Sequence, residues 1–72
     1  MKLNEKLRYL RNKKELSLRE LQKESGVFFS VICNLEKGTA KNPQIKNICK
    51  LAVALEISLD DLIAGTEFDF KK

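Results

Sequence analysis

Ser30, Asn34 and Lys37 fall at i, i+4 and i+7 within the stretch GVFFSVICNLEKG, Gly26 to Gly38. On a helix this spacing puts a hydroxyl, a carboxamide and an ammonium on one face. The chemistry open to such a stripe is recognition. A carboxamide can bond bidentately to adenine, a hydroxyl can serve several bases, and an ammonium can hold a phosphate. The stripe reads equally well as a solvated helix face. Bond-making chemistry has little to work with. The chain has no histidine, which removes the commonest general base and a common zinc ligand. Cys33 and Cys49 lie far apart with no C-x-x-C and read as small buried hydrophobes. No nucleophile–base pair, metal cluster or phosphate loop stands out. The reading is therefore of a protein that is not an enzyme and needs no cofactor.

The elements that must carry these residues are helical. Leu3, Leu7 and Leu10 form one apolar stripe and predict a helix from about Leu3 to Lys14. The SLRE motif from Ser17 is a capping box, in which the Ser17 hydroxyl accepts from the Glu20 amide and Glu20 reaches back. It opens a second helix whose inward residues are Leu18 and Leu21 and whose left-handed stop is Gly26. A third helix lies between Phe28 and Lys37, with Ile32 and Leu35 inward and Gly38 as its stop. Asn42-Pro43 leads into a fourth, from about Gln44 to Leu55. There Ile45, Ile48, Leu51, Ala52 and Leu55 fit a 3.6-residue period, Cys49 and Val53 widen the stripe, and Lys46 and Lys50 are left outside. Ser58 caps a short fifth helix bearing Leu59, Leu62 and Ile63 before Gly65. The segment after residue 66 reads as a tail, giving a domain over 1–66 and a tail over 67–72. With no alternation of period two, the fold class is all-α with five short helices.

The 72 residues allow one domain at most. Residues 1–14 carry six Lys/Arg against one Glu, 27–50 carry four Lys against one Glu, and 51–72 carry five Asp/Glu against two Lys. Two basic segments and one acidic end suit a molecule that turns one face to a polyanion. No apolar run approaches the roughly 18 residues of a membrane span. The N-terminal charges, interleaved with leucines, are not those of a signal peptide. The expected location is cytoplasmic, with no membrane partner and no disulfide.

A helix, a glycine turn and a second helix are the layout of a DNA reader, although many helical bundles contain one. The wider pattern is more specific. Arg11, SLREL, SGV, ICNLEKG, NP and LAVALEISLDDLI keep a spacing that resembles the phage repressor/Cro-type, lambda repressor-like helix-turn-helix family over about residues 3–64. The NP followed by a helix of this length is most similar to small biofilm and transition-state repressors. The resemblance implies base contacts from Phe29, Ser30 and Asn34, with Phe28 at the cap position. It implies phosphate contacts from Ser17, Arg19 and Gln22 and from the loop of Lys37, Thr39 and Lys41. It also implies an ion pair between Arg11 and Glu36. That pair has a physical motive, since Glu36 ends a helix where the dipole disfavours an acid.

Three positions depart from the family pattern. Phe28 stands where Ser or Thr usually caps, which forfeits a side-chain cap worth about 1 kcal/mol. Leu18 replaces a frequent Gln. Gln22 replaces a small residue, and either pushes the third helix outward or turns to the phosphate backbone. The phenylalanines have several readings. Phe28 can fold back over the helix junction as an apolar plug. Phe29 can touch thymine methyls or anchor a protein partner.

The function that these readings imply is a sequence-specific transcription regulator, a repressor, reading the major groove of double-stranded DNA with the third helix. Two-fold symmetry on a palindromic operator would make it a homodimer, with Leu59, Ile63, Phe68 and Phe70 as interface candidates. The alternative is a protein-interaction module or antitoxin on the same scaffold, with the Phe28/Phe29 tip bound to a regulatory protein.

Overall fold

The computed structural model describes residues 1–40 and 42–69. These form five helices: α1 Leu3–Lys13, α2 Leu18–Ser25, α3 Phe29–Lys37, α4 Ile45–Ala54 and α5 Leu59–Ile63. The all-α expectation holds, and each predicted helix exists within a residue or two of its expected bounds.

The ends follow local chemistry. The Glu20 amide donates to Ser17 Oγ at 3.0 Å and the Ser17 amide donates to Glu20 Oε1 at 2.8 Å, closing the capping box of α2. The Asp61 amide donates to Ser58 Oγ at 3.0 Å to start α5. Gly26 ends α2 at φ +77 with nothing near its missing Cβ, so the backbone conformation alone requires glycine there. Gly38 ends α3 at φ +79, a conformation that favours glycine, and a Cβ there would sit tightly, 3.2 Å from the Asn4 side chain.

Each helix sends one fully buried branched residue to a common centre: Leu7, Leu21, Ile32, Leu51 and Leu62. Val27, just past the turn, joins them and docks α3 on α2. The helix α1 packs on α3 and α5, α2 on α3 and α4, and α4 on α5. So α1 backs α3, α4 backs α2, and α5 bridges α1 and α4.

Two expectations are corrected. The predicted buried stripe of α4 is too wide. Ile48, Leu51, Ala52 and Leu55 are buried, but Ile45 is 64% exposed, Val53 is 77% exposed and Cys49 is exposed. The neighbouring helices cover only one arc of α4, and residues 45, 49 and 53 stand on the adjoining row. Cys33, expected buried as well, is only half-buried. The second correction concerns the tail. Glu67 Oε1 accepts from the Leu3 amide at 2.8 Å and so satisfies one of the orphan donors of α1, while Phe68 packs against the core. Lys6 Nζ donates to the carbonyls of Ala64, at 2.7 Å, and Asp61, at the end of α5. Residues 67 and 68 thus belong to the folded body.

Candidate nucleic-acid interface

The outer surface of α3 follows from what α3 must bury. Ile32 and Leu35 face the core, so Ser30, Asn34 and Lys37 are turned outward, and all three are exposed. Beyond Gly38, the Thr39 hydroxyl donates to the Asn34 carbonyl at 3.3 Å, so the loop folds back over the last turn of α3. Thr39 is itself exposed. Lys41, assigned to the same loop, lies outside the described residues.

The base of α3 is fixed by charge. Glu36 is 4% exposed and would be costly to bury alone. Arg11 Nε donates to its Oε2 at 2.7 Å and Nη2 to its Oε1 at 3.0 Å, a two-pronged pair, while Arg11 Nη1 donates to the Leu16 carbonyl at 2.8 Å. Arg8 adds a bond from Nη2 to the Glu36 carbonyl at 3.0 Å. The hydrogen-bonded Glu36 carboxylate raises the Arg11 pKa further against the opposing cost of burial. No buried side-chain nitrogen or oxygen among the described residues lacks a partner. The network locks α1 to α3 and so sets how far α3 stands out.

At the leading end of α3 the two phenylalanines separate. Phe28 is the N-cap residue, with ψ 144 and no side-chain cap bond. It is 75% exposed, so it does not plug the junction. Its extended backbone carries the side chain away from Ile32, and Val27 fills the junction instead. Phe29 is half-buried, and the guanidinium of Arg19 lies over its ring at 4.0 Å from the centroid. Arg19 stands in the first turn of α2, two residues after the exposed cap Ser17. The Ser17 oxygen accepts from the Glu20 amide. Hydrogen bonds from the Ser17 amide and hydroxyl hold the Glu20 pKa below the ordinary glutamate range.

Phe28 is a ridge between two open grooves. One, of about 480 Å³, runs between α3 and the start of α4 and includes Val31, Asn34, Asn47, Lys46 and Lys50 in its lining. The other, on the α2 side, is lined by Arg19, Gln22, Lys23 and the turn. Gln22 therefore faces this groove, and α3 stays seated, with Val27 and Ile32 buried. Lys46, Lys50 and Lys23 were assigned no role from sequence. Their signal was the i, i+4 spacing of Lys46 and Lys50 on the outer side of α4, which could not by itself show that this side borders α3.

The expected interface residues behave differently. Leu59 and Phe68 are half-buried and pack against the core, and Ile63 is half-buried beside Phe68 in a small apolar groove. Phe70 lies outside the described residues. No cluster of metal-ligating side chains occurs among the described residues, and none of the helices is long and apolar enough to cross a membrane.

Residues 7–62 match the model of the helix-turn-helix family. The HTH-type transcriptional regulator SlrR of Bacillus subtilis (strain 168) is 30% identical over 66 residues, which are 92% of this chain and 43% of SlrR. The restriction-modification controller protein C.AhdI from Aeromonas hydrophila superposes with a TM-score of 0.78 at 38% identity, over 83% of this chain and 89% of that one. The biofilm master regulator SinR, solved in complex with DNA, superposes with a TM-score of 0.79 at 28% identity, over 85% of this chain and 97% of that one. The chain spans about half the length of the curated relatives it matches.

Proposed function

Because the chain belongs to the helix-turn-helix family, we propose that it is a sequence-specific DNA-binding regulator of transcription, acting as a repressor in the cytoplasm. It works by binding, not catalysis. The helix α3 enters the major groove, and two copies address the halves of a palindromic operator. The observation that carries this reading is the outward stripe of Ser30, Asn34 and Lys37, supported by two basic grooves on either side of Phe28.

The roles divide by chemistry. Asn34 and Ser30 offer donors and acceptors to base edges, and Phe29 offers an apolar edge to thymine methyls. Phe28, exposed at the tip, reaches the same groove. Ser17, Arg19, Gln22, Lys37, Thr39 and Lys41 hold phosphates and fix the register without reading sequence. The names of SlrR, C.AhdI and SinR, a regulator, a controller and a regulator solved with DNA, support the reading as a DNA-binding regulator.

The experiment is selection of bound genomic fragments, followed by titration of the selected site against salt. Asn34→Ala should cost about 1–3 kcal/mol at the selected site and little elsewhere, relaxing base preference. Lys37→Ala should weaken all sequences alike and flatten the salt slope by about one. No salt-dependent binding to any fragment would refute the reading. The exposure of Phe28 supports a second one, a docking tip for a regulatory protein. A Phe28→Ala chain that keeps its DNA affinity and loses a bound protein would favour it.

A further inference from the structure

Phe28 is the most exposed aromatic side chain among the described residues, at 75% against 54% for Tyr9. The core does not use it. Val27 fills the junction between α2 and α3, and the Phe28 side chain makes no cap bond to α3. Around it the leading end of α3 is apolar. The first six residues of α3, Phe29 to Asn34, carry no charge. Val31 lines the groove toward α4 together with Phe28 and Asn34, and Arg19 covers one face of the half-buried Phe29 ring. The two grooves that flank Phe28 are basic. Lys46 and Lys50 line one, Arg19 and Lys23 line the other, and no carboxylate among the described residues lines either.

We infer that Phe28 reads the C5-methyl group of pyrimidines, so that the DNA sites this chain selects carry a 5-methylpyrimidine under the tip of α3. The inference rests on the DNA reading above and deepens it. It names the chemical group that is read and makes Phe28 its principal contact, since Arg19 already occupies a face of Phe29.

The major groove offers an apolar side chain a single target. Guanine, adenine and cytosine present acceptors and amino donors there, and only the C5-methyl group of thymine is apolar. A ring pressed onto N7, O6 or an amino group strands a polar atom away from water, which is unfavourable. A ring set over a methyl group strands nothing and buries apolar area on both partners. Val31 extends the apolar patch toward Asn34, so apolar and hydrogen-bonding contacts succeed one another along the same groove.

The flanks select the occupant. An apolar tip alone would suit a protein surface as well. A tip set between two basic grooves suits a duplex, in which the methyl group lies on the floor of the major groove between two phosphate strands. The same contact accepts the methyl group from two sources. 5-Methylcytosine carries it at the same ring position as thymine, so methylation of a cytosine placed under Phe28 strengthens binding.

The test uses the full chain and a duplex selected from random DNA. Each thymine in turn is replaced by uracil, which removes the methyl group and keeps the hydrogen-bonding edge. At the position under Phe28, uracil should weaken binding about fourfold, the ratio expected for one buried methyl group. With that base pair changed to 5-methylcytosine·guanine or to cytosine·guanine, the methylated duplex should bind more tightly by a similar factor. Phe28→Ala, at an exposed position outside the core, should keep helical circular dichroism and the salt slope, and should bind the two members of each comparison alike. Phe28→Leu, still apolar, should recover part of the preference. A wild type indifferent to uracil at every position would overturn the inference and leave the DNA reading standing. So would a Phe28→Ala chain that keeps full affinity and methyl preference, as a protein-docking tip requires. A chain that binds no duplex in a salt-dependent way would refute the DNA reading and the inference with it.

Discussion

The guanidinium of Arg19, in the first turn of α2, lies 4.0 Å from the ring centroid of Phe29, the first residue of α3. The contact crosses the turn and couples a residue suited to phosphate with one suited to base edges. A cation over a ring at an exposed site contributes about 0.5–1 kcal/mol, enough to bias one rotamer of Phe29. Arg stacks as a plane where Lys presents a point charge, so the two are not equivalent here. Arg19→Lys should keep most of the salt dependence of DNA binding and lose part of the discrimination between selected and random sites. Arg19→Ala should lose both. Paired titrations at two ionic strengths separate the effects.

The Arg11–Glu36 pair is a matter of stability. With side chains 13% and 6% exposed, it is buried enough that removing one partner strands the other charge. Glu36→Ala and Arg11→Ala should each cost about 3–5 kcal/mol in urea unfolding. Arg8, 55% exposed and 3.8 Å from the same carboxylate, should cost no more than about 1 kcal/mol when changed to Ala. Equal losses at Arg8 and Arg11 would contradict this ranking.

Glu15 follows the C-cap of α1 at φ 57, in the left-handed region that favours glycine. Its amide donates to the Asn12 carbonyl at 2.9 Å and the Leu16 amide to Arg11 at 3.1 Å, so the cap geometry is already closed by backbone. Glycine relieves the steric cost and gives back part of the gain through the entropy of the unfolded chain. Glu15→Gly should therefore raise stability by up to about 1 kcal/mol, read as a higher urea midpoint at unchanged slope.

Glu20 adds a pH dependence. Its pKa is lowered in the folded state by the Ser17 amide and hydroxyl. A carboxyl lowered on folding stabilises above its unfolded pKa, and that contribution is lost as pH falls through the folded value. Glu20→Gln keeps an acceptor for the cap but cannot titrate. The melting temperature of the wild type should exceed that of Glu20→Gln at neutral pH, and the difference should vanish in acid below the ordinary glutamate range, about 4.3. A difference that is constant with pH would show that ionisation of Glu20 adds nothing.

What the sequence settled by itself was everything whose cause lies within a few residues. The Ser17–Glu20 box, the Ser58 cap and the two glycine stops mark helix ends because their partners are three to five positions away. Leu7, Leu21 and Ile32 are legible as core because helical period fixes one side of each segment, and the outward stripe of Ser30, Asn34 and Lys37 is the complement of that period. What only tertiary structure decided depends on which neighbour arrives. The apolar arc of α4 runs past what α2 and α5 can cover, so Ile45, Cys49 and Val53 stay in solvent although their residue types do not differ from those buried beside them. Glu67 caps α1 from 64 positions away, Arg19 finds Phe29 only once the turn has closed, and Lys46 and Lys50 come to border a groove with α3 residues only once α4 has packed. Periodicity states that a side chain prefers cover, and the packing of the whole chain determines whether cover is there.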